Sequence, residues 1–239
     1  MKSDTLYWFL ANELNEWVWG GRLINQDDLP HEYPAIFVSN HAAALGPIAV
    51  TSSLPVRVYP WVISDMMEWD KAADYLRKDF IEPQLHIPPF MSRVASKLLS
   101  QISVRLLRAV ECIPVWQGER VHETYRTSIE YLVDGRNLLI FPEDPSQPMN
   151  ELYQMSPFYK GFTRLGAMYY ERTKRILHFY PVAVHSIERE IRIGKPILYN
   201  PSNDPVKERV RIKRVLESTI QNLYLDITLE SHTGIPLPH

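Results

Sequence analysis

The sequence predicts an α/β protein in which a mostly parallel, mixed sheet is flanked by helices. Two observations indicate this class: short apolar runs predict buried strands, and segments with helical periodicity alternate with them. The chain has 239 residues, 45% of them hydrophobic, which is enough for a large core. Because no repeat, low-complexity tract or linker interrupts the pattern, we expect a single domain over residues 1–239.

The predicted elements follow from local composition. Gly135 stands in the capping position after one helical segment. Asp204 and Pro205 are residue types favoured at the N-cap and the first position of another helix. We expect strands at residues 35–39, 57–63, 112–116, 138–141, 178–184 and 190–193, and helices at residues 66–80, 93–110, 121–134, 159–173 and 204–225.

Two of these predicted helices have a clear apolar face. Hydrophobic residues that recur every three or four positions mark the side of a helix that packs on a core. On the 93–110 segment this face carries Val94, Leu98, Ile102, Leu106 and Val110. On the C-terminal helix, 204–225, we expect Val206, Val210, Ile220 and Leu223 to face inward.

Residues 1–25 predict an amphipathic N-terminal helix. Leu6, Leu10, Leu14 and Trp17 fall on one helical face. Aromatic residues are frequent between positions 6 and 19, and Trp and Tyr are at home at a membrane interface. Two uses stay open: docking onto the protein's own core, or contact with a membrane or partner. We expect neither a membrane-spanning segment nor a secretory signal here.

Charge and cysteine content exclude some classes of protein. Lys and Arg number 26 against 28 Asp and Glu, a net charge of −2, whereas a dedicated nucleic-acid binder normally has a basic excess. Cys112 is the single cysteine, so no internal disulfide can form and a reducing compartment is favoured. His178 and His185 lack metal-ligand spacing, and we expect no metal site. The chain has 19 prolines against 9 glycines, which leaves little glycine for phosphate-binding loops.

His41 is the first candidate for chemistry, because it follows the predicted strand at residues 35–39. In open α/β sheets, ligands bind beyond the carboxyl ends of the strands. A histidine there can act as a general base at neutral pH, since its ordinary pKa is about 6.5. By itself, a loop histidine is more often structural.

Further blocks of sequence give His41 a context. In order and separation, four blocks resemble the motifs of the glycerophospholipid acyltransferase family, whose best-known members are lysophosphatidate acyltransferases. The resemblance covers residues 35–184, and it implies a single acyltransferase-like domain with its active site at the strand ends. The blocks are Asn40-His41, Ile113-Pro114-Val115, Phe141-Pro142-Glu143, and Lys160-Gly161 at a helix start, followed by Phe179-Tyr180-Pro181-Val182.

The resemblance implies transfer of a fatty acyl group from an acyl-CoA or acyl-carrier-protein thioester to a hydroxyl. The acceptor is lipid-related in this family. His41 matches the family base, and no cofactor beyond the thioester co-substrate is implied. The substrate-binding candidates are Asn40, Gln117, Arg120, Phe141, Pro142, Lys160 and Gly161.

The sequence departs from the family pattern at the partner of the histidine. The family places an aspartate five positions after the histidine, but this chain has Gly46 there, and no acid occurs from residue 42 to residue 54. Loss of the equivalent aspartate in a serine-protease triad costs about 10⁴-fold in rate. Glu143 and Asp144 are the nearest substitutes in the motifs, and Asp65 and Glu68 are more remote alternatives.

The phosphate-binding blocks also depart from the pattern. Gln117 stands where the family has arginine, and Arg120 either replaces it or begins the next helix. The family's Gly-Thr-Arg after the glutamate is replaced by Asp144, Pro145 and Ser146. Because arginine is the preferred ligand for phosphate, a glycerol-phosphate acceptor is disfavoured.

Two functions from different classes therefore follow. The first is a divergent acyltransferase that uses His41 as a general base on an unusual or non-phosphorylated acceptor. The alternative is a catalytically silent homologue that binds lipid, an acyl carrier or a protein partner. In either case we expect a cytoplasmic protein. Where it binds a membrane, we expect peripheral contact with the inner membrane surface through residues 6–19.

Overall fold

The helices and strands fall into two units of the chain. The structure is a computed structural model that describes residues 2–24, 29, 34–42, 45–78 and 89–233. The larger unit contains Trp8–Val58 and the chain from Ser128 onward, and the smaller unit contains the chain up to Tyr7 and Tyr59–Thr127. The single domain expected from the sequence stays a prediction.

Eight strands and seven α-helices are present in the described residues. The strands are β1 (Arg22–Ile24), β2 (Ala35–Ser39), β3 (Val58–Ile63), β4 (Ile113–Val115), β5 (Asn137–Ile140), β6 (His178–His185), β7 (Glu190–Ile193) and β8 (Ile197–Leu198). The helices are α1 (Lys2–Leu14), α2 (Leu45–Ser53), α3 (Trp69–Leu76), α4 (Pro89–Ala109), α5 (Val121–Val133), α6 (Arg164–Thr173) and α7 (Pro205–Thr233).

The sheet of the larger unit has the strand order β1-β7-β6-β2-β5, with β8 also paired to β6. β2 lies parallel to both β5 and β6, and β1 lies parallel to β7. β7 and β8 run antiparallel to β6. All five residues of β2 are buried, as expected for a strand covered on both faces. The predicted mostly parallel, mixed α/β sheet is confirmed.

Helices cover the two faces of this sheet. Because side chains alternate along a strand, Tyr180 and Val182 of β6 point to one face, where they share a core cluster with Ala49 and Val50 of α2. Phe179 points to the other face, and its ring meets that of Phe162 at 6.3 Å between centroids. The long helix α7 packs on β6, β7 and β8. The strands β2 and β5 are therefore held in a core that has helices on both faces of the sheet.

The smaller unit contains the parallel pair β3 and β4, in which Trp61 lies opposite Ile113. Helices α3 and α4 pack on each other. The hydroxyl of Thr124 in α5 donates to the Pro114 carbonyl at 2.9 Å and accepts from the Trp116 amide at 2.9 Å. These two hydrogen bonds to the main chain fix the start of α5 against the end of β4.

The boundaries of several elements differ from the sequence prediction. The predicted 66–80 helix is a 3₁₀ turn, Ser64–Met67, followed by α3, and its residues 79 and 80 lie outside the described residues. The predicted 159–173 helix begins only with the turn Gly161–Thr163 and continues as α6. The C-terminal helix continues past residue 225 to Thr233.

The N-terminal segment is only partly helical. α1 continues as a π-helical turn, Asn15–Trp19, and then ends, because Gly20 adopts a φ of +59° that favours glycine. The following residues form β1 instead of the helix that 1–25 predicted, while residues 1 and 25 lie outside the described residues. The buried side chains here are Tyr7, Ala11 and Trp19, so the predicted Leu6–Trp17 face is not the packed one.

The inward face of α7 agrees with the expected one only in part, since Ile220 is buried as predicted. Val206 and Val210 are exposed, and the buried positions near the helix start are Glu208 and Ile212. Burial alone would raise the pKa of the Glu208 carboxyl, but hydrogen bonds from Arg211, Asn203 and the Asn200 amide lower it to about 2. A buried, fully bonded carboxylate thus takes the place that apolar periodicity assigned to valine. Asp204 caps the helix as predicted, accepting from the Val206 and Lys207 amides at 3.1 and 3.0 Å.

Candidate active site

The carboxyl ends of β2 and β5 bring two of the motif blocks together. Val38 of β2 lies opposite Ile140 of β5 in a parallel pair. Asn40-His41 and Phe141-Pro142-Glu143 therefore leave the sheet at the same edge. This is the edge at which open α/β sheets bind ligands.

Asn40 fastens the end of β2 to β6. Its side chain is fully buried. The amide group donates to the Val184 carbonyl at 2.9 Å, and the Asn40 Oδ1 accepts from the Val184 amide at 2.8 Å. Because Asn40 bonds both the amide and the carbonyl of Val184, it holds the end of β2 in place directly before His41.

His41 lies at the surface beside Phe141. The two rings meet edge to face, with 5.4 Å between centroids and 64° between planes. The side chain is exposed, so the imidazole can be reached by solvent and small molecules. Ala42, the next residue, has a φ of +43°, a conformation uncommon for a residue with a side chain. The chain turns sharply immediately after the candidate base.

Glu143 binds the main chain around this site with both of its carboxylate oxygens. Oε1 accepts from the backbone amide of His41 at 2.5 Å, and Oε2 accepts from the amide of Ser156 at 2.7 Å. Charge-assisted bonds of this kind are among the stronger ones in proteins. Glu143 therefore holds the His41 backbone in place and ties it to the loop that precedes α6.

Asp144 is held in its own turn. Its Oδ1 accepts from the Ser146 amide, the Ser146 hydroxyl and the Tyr159 hydroxyl at 2.9, 2.6 and 2.8 Å. The bonds from Ser146 and Tyr159 lower the pKa of the Asp144 carboxyl. Its amide donates to the Pro157 carbonyl at 2.9 Å. The second candidate acid thus stays ionised and organises the 144–159 loop.

Gly46 stands in a place where a side chain does not fit. A Cβ built on this residue would lie 2.0 Å from the carbonyl oxygen of His41 and 2.7 Å from its carbonyl carbon. Both atoms belong to the backbone, so no rotation of a side chain relieves the overlap. The absence of the motif aspartate is therefore coupled to the local path of the chain after His41.

Replacement of Gly46 by aspartate is expected to destabilise the protein without restoring the motif. Gly46→Ala should cost a similar amount, about 1–3 kcal/mol or more, because the Cβ itself causes the overlap. Thermal unfolding of the two variants and of Ser52→Asp, a half-exposed position of the same helix, measures this. A Gly46→Asp protein as stable as the wild type would contradict the steric argument.

The remaining predicted residues lie in several places. Gln117 is exposed, and Arg120 ends the 3₁₀ turn Gly118–Arg120 before α5, with Nε 2.8 Å from Glu123 Oε1 and Cζ 3.4 Å from the Trp116 ring centre. Both belong to the smaller unit. Arg120 thus lies directly before a helix and is paired there, which agrees with one of the two alternatives for it.

The third motif block is bonded to the loop that leads to Lys160-Gly161. Pro142 is buried, and its carbonyl accepts from the Tyr159 amide at 2.7 Å. Lys160 is exposed, and its carbonyl accepts from the Thr163 hydroxyl at 2.8 Å. Lys160 and Gly161 open the turn before α6, as the resemblance implies.

Sequence reasoning missed Ser156, Tyr159 and Glu217. Ser156 and Tyr159 bond the two candidate carboxylates, and Glu217 of α7 accepts from the Phe158 amide at 2.5 Å. These contacts join residues far apart in the chain, and no spacing pattern in the sequence indicates them. A cavity of about 460 Å³ borders the same loop and is lined in part by Met155, Pro157 and Glu217.

Two alternative chemistries find no support in the described residues. Burial raises the pKa of the Cys112 thiol to about 12, so this cysteine is not a thiolate nucleophile at neutral pH. In the residues that the structure describes, no group of three or more His, Cys, Asp or Glu could hold a metal ion. His185 is buried and stacked on Tyr224, with 4.3 Å between ring centres.

Comparison with known proteins finds a similar fold among solved structures. No protein-family model and no curated protein matches the sequence. The structure is similar to the crystal structure of the 1-acyl-sn-glycerophosphate (LPA) acyltransferase PlsC from Thermotoga maritima, with a TM-score of 0.56 and 14% identity. The match covers 92% of this chain and 78% of that chain. The acyltransferase-like fold predicted from the sequence is confirmed.

Proposed function

We propose that this chain is a divergent member of the glycerophospholipid acyltransferase family and transfers an acyl group from a thioester to a hydroxyl. The observation that carries the proposal is the place of His41, on an acyltransferase-like fold, at the carboxyl end of β2 beside Phe141. The imidazole is exposed there, whereas hydrogen bonds hold the main chain around His41 in place. A base held at an accessible strand end suits an acceptor that arrives from solution or from a lipid.

In this mechanism the acceptor supplies the nucleophile. The His41 imidazole takes the proton of the acceptor hydroxyl as its oxygen attacks the thioester carbonyl. The tetrahedral intermediate then collapses, the carbon–sulfur bond breaks, and the imidazolium returns the proton to the departing thiolate. One ester and one free thiol form, with no change in redox state and no cofactor beyond the thioester donor.

The charges at the two phosphate-binding blocks favour an acceptor without a phosphate. Asp144 carries a negative charge where the family has glycine, and Pro145 lacks a backbone donor. Arg120 already pairs with Glu123 through two hydrogen bonds of 2.8 and 3.0 Å. We therefore propose a neutral hydroxyl acceptor, with either CoA or acyl-carrier protein as the donor carrier.

A specific observation also supports the second candidate, a catalytically silent binder of lipid, acyl carrier or protein. Both oxygens of Glu143 accept from backbone amides, and a side chain at Gly46 would overlap the His41 backbone. Neither residue supplies the imidazole partner that the family uses. In this case the protein would bind the acyl donor without catalysing its reaction.

Thiol release from a panel of acyl donors distinguishes the two functions. Acyl-CoA and acyl-carrier-protein thioesters of several chain lengths are mixed with the protein, with and without alcohols and neutral lipid acceptors. We expect thiol release above the uncatalysed rate, and more of it when a hydroxyl acceptor is added. Donor binding by calorimetry without any thiol release would contradict the enzyme and support the silent binder. A rate of thiol release that is the same with and without each acceptor would indicate hydrolysis of the thioester.

A further inference from the structure

One face of helix α4 exposes an apolar stripe. Phe90 and Met91 lie at its start, and Val94, Leu98 and Ile102 follow at intervals of four residues. Leu98 is 62% exposed and Ile102 is 57% exposed. From Phe90 to Ile102 the stripe is about 18 Å long at the rise of an α-helix. The sequence predicted that Val94, Leu98 and Ile102 form the packed face, and that expectation is wrong.

Among the described residues of α4, three of the four that are fully buried are serines. Ser92, Ser96 and Ser100 are buried, followed by Val104. The hydroxyls of Ser96 and Ser100 donate to the carbonyls of Arg93 and Lys97 in their own helix, at 3.0 and 2.9 Å. These serines therefore pack without unsatisfied hydroxyl groups. Between Phe90 and Ile102, the apolar side chains of the stripe thus point outward while serines occupy the buried positions.

The charges on α4 all have one sign. Residues 89–109 contain no acid, and Arg93, Lys97, Arg105 and Arg108 are all exposed. Arg105 and Arg108 lie against the Trp69 ring, 5.9 and 5.3 Å from its centre. Arg93 and Lys97 immediately precede Val94 and Leu98 in the chain, so cations border the apolar stripe along its length.

We propose that α4 is a membrane-surface helix that lies in the interface of an anionic lipid bilayer. Exposed aliphatic side chains bordered by Lys and Arg are the composition of interfacial helices, and the basic border complements acidic headgroups. In the described residues no helix is long and apolar enough to cross a bilayer, so the helix would lie in the surface. A second copy of this chain fits less well, because it would bring two basic helices together.

This inference places the membrane contact on a segment other than residues 6–19. The N-terminal segment exposes Trp8, Phe9 and Trp17, but it carries the acids Asp4, Glu13 and Glu16. Acidic side chains repel an anionic surface. The proposal is independent of acyl transfer, since a silent lipid binder would use α4 in the same way.

Vesicle sedimentation tests the proposal on the full chain. We expect binding to vesicles of phosphatidylcholine mixed with phosphatidylglycerol, and much weaker binding to phosphatidylcholine alone. Combined Leu98→Asn and Ile102→Asn changes should weaken binding about tenfold or more, since two exposed aliphatic groups no longer enter the interface. Combined Arg93→Gln and Lys97→Gln changes should weaken it about tenfold on anionic vesicles only.

Two controls make the result specific to α4. Ile187 is 82% exposed in the larger unit, and Ile187→Asn should leave binding unchanged. Unfolding temperatures confirm that each variant is folded. The proposal is overturned if wild-type protein binds neither vesicle, or if Phe9→Ala with Trp17→Ala abolishes binding that the α4 variants retain. It is also overturned if α4 variants lose affinity for an acidic acyl-carrier protein while vesicle binding is unchanged.

Discussion

Replacing His41 by alanine is expected to lower the rate of thiol release about 10²–10⁴-fold. That range is what a positioned general base contributes. Among the motif residues, His41 carries the imidazole suited to this role, and its side chain is exposed beside Phe141. The fold should be retained, because the hydrogen bond from the His41 backbone amide to Glu143 remains when the side chain is replaced. Binding of the donor should change little, so the loss falls on kcat more than on KM.

His122 provides the matched control for this experiment. It is also exposed, but it begins α5 and its Nδ1 lies 2.7 Å from the Glu119 carbonyl. His122→Ala should therefore keep wild-type activity. Stopped assays of both variants under one set of donor and acceptor concentrations make the comparison. Equal thiol release by wild type and His41→Ala would remove His41 from the mechanism and leave the silent binder as the better function.

Strand positions could be predicted from sequence because a buried strand needs only a short apolar run. Residues 35–39 and 190–193 were expected as strands, and β2 and β7 have those bounds. Which strands pair could not be predicted, because pairing joins residues that are distant in the chain. The segment Arg22–Ile24 illustrates this: it was expected as helix, and its partner is β7.

The orientation of helices was harder to predict than their existence. α4 and α7 lie where the periodicity placed them, but part of the face expected to pack is exposed in each. On α4 the exposed residues are Val94, Leu98 and Ile102. On α7 they are Val206 and Val210, whereas Ile220 is buried as expected. On α4 the buried serines bond to their own helix, and on α7 the buried Glu208 is bonded on several sides. Hydrophobic periodicity treats such residues as exposed, although a bonded polar group can be buried at little cost.

The sequence indicated which motif residues meet at this edge of the sheet more than how they contact one another. Asn40, His41 and Glu143 were all singled out, and the structure brings them to one edge of the sheet. The contact between them differs from that of a triad, since Glu143 binds the His41 amide. A sequence indicates which side chains are present, but whether a carboxylate reaches an imidazole or a backbone amide depends on distances of a few ångströms.

Replacing Glu190 by glutamine should cause the largest loss of stability, about 3–5 kcal/mol, because it breaks a buried ion-pair network. Glu190 is fully buried in β7 and accepts from Arg22 Nε at 2.7 Å and from Arg192 Nε at 2.5 Å. Arg192 is also buried, and its Nη1 donates to Glu230 of α7 at 3.0 Å. The network therefore joins β1, β7 and α7, and removing its central carboxylate leaves a buried guanidinium undercompensated.

Chemical denaturation of three proteins tests this reasoning. Glu188→Gln changes an exposed acid two residues away and should stay within about 0.5 kcal/mol of wild type. Glu190→Leu combined with Arg192→Met removes both fully buried charges and should cost less than Glu190→Gln alone. Only Arg22 and Glu230, whose side chains are more exposed, then lose a partner. If Glu190→Gln unfolds at the same denaturant concentration as Glu188→Gln, the network does not stabilise the fold. The order of the three losses, and not their sum, identifies the undercompensated Arg192 guanidinium as the cause.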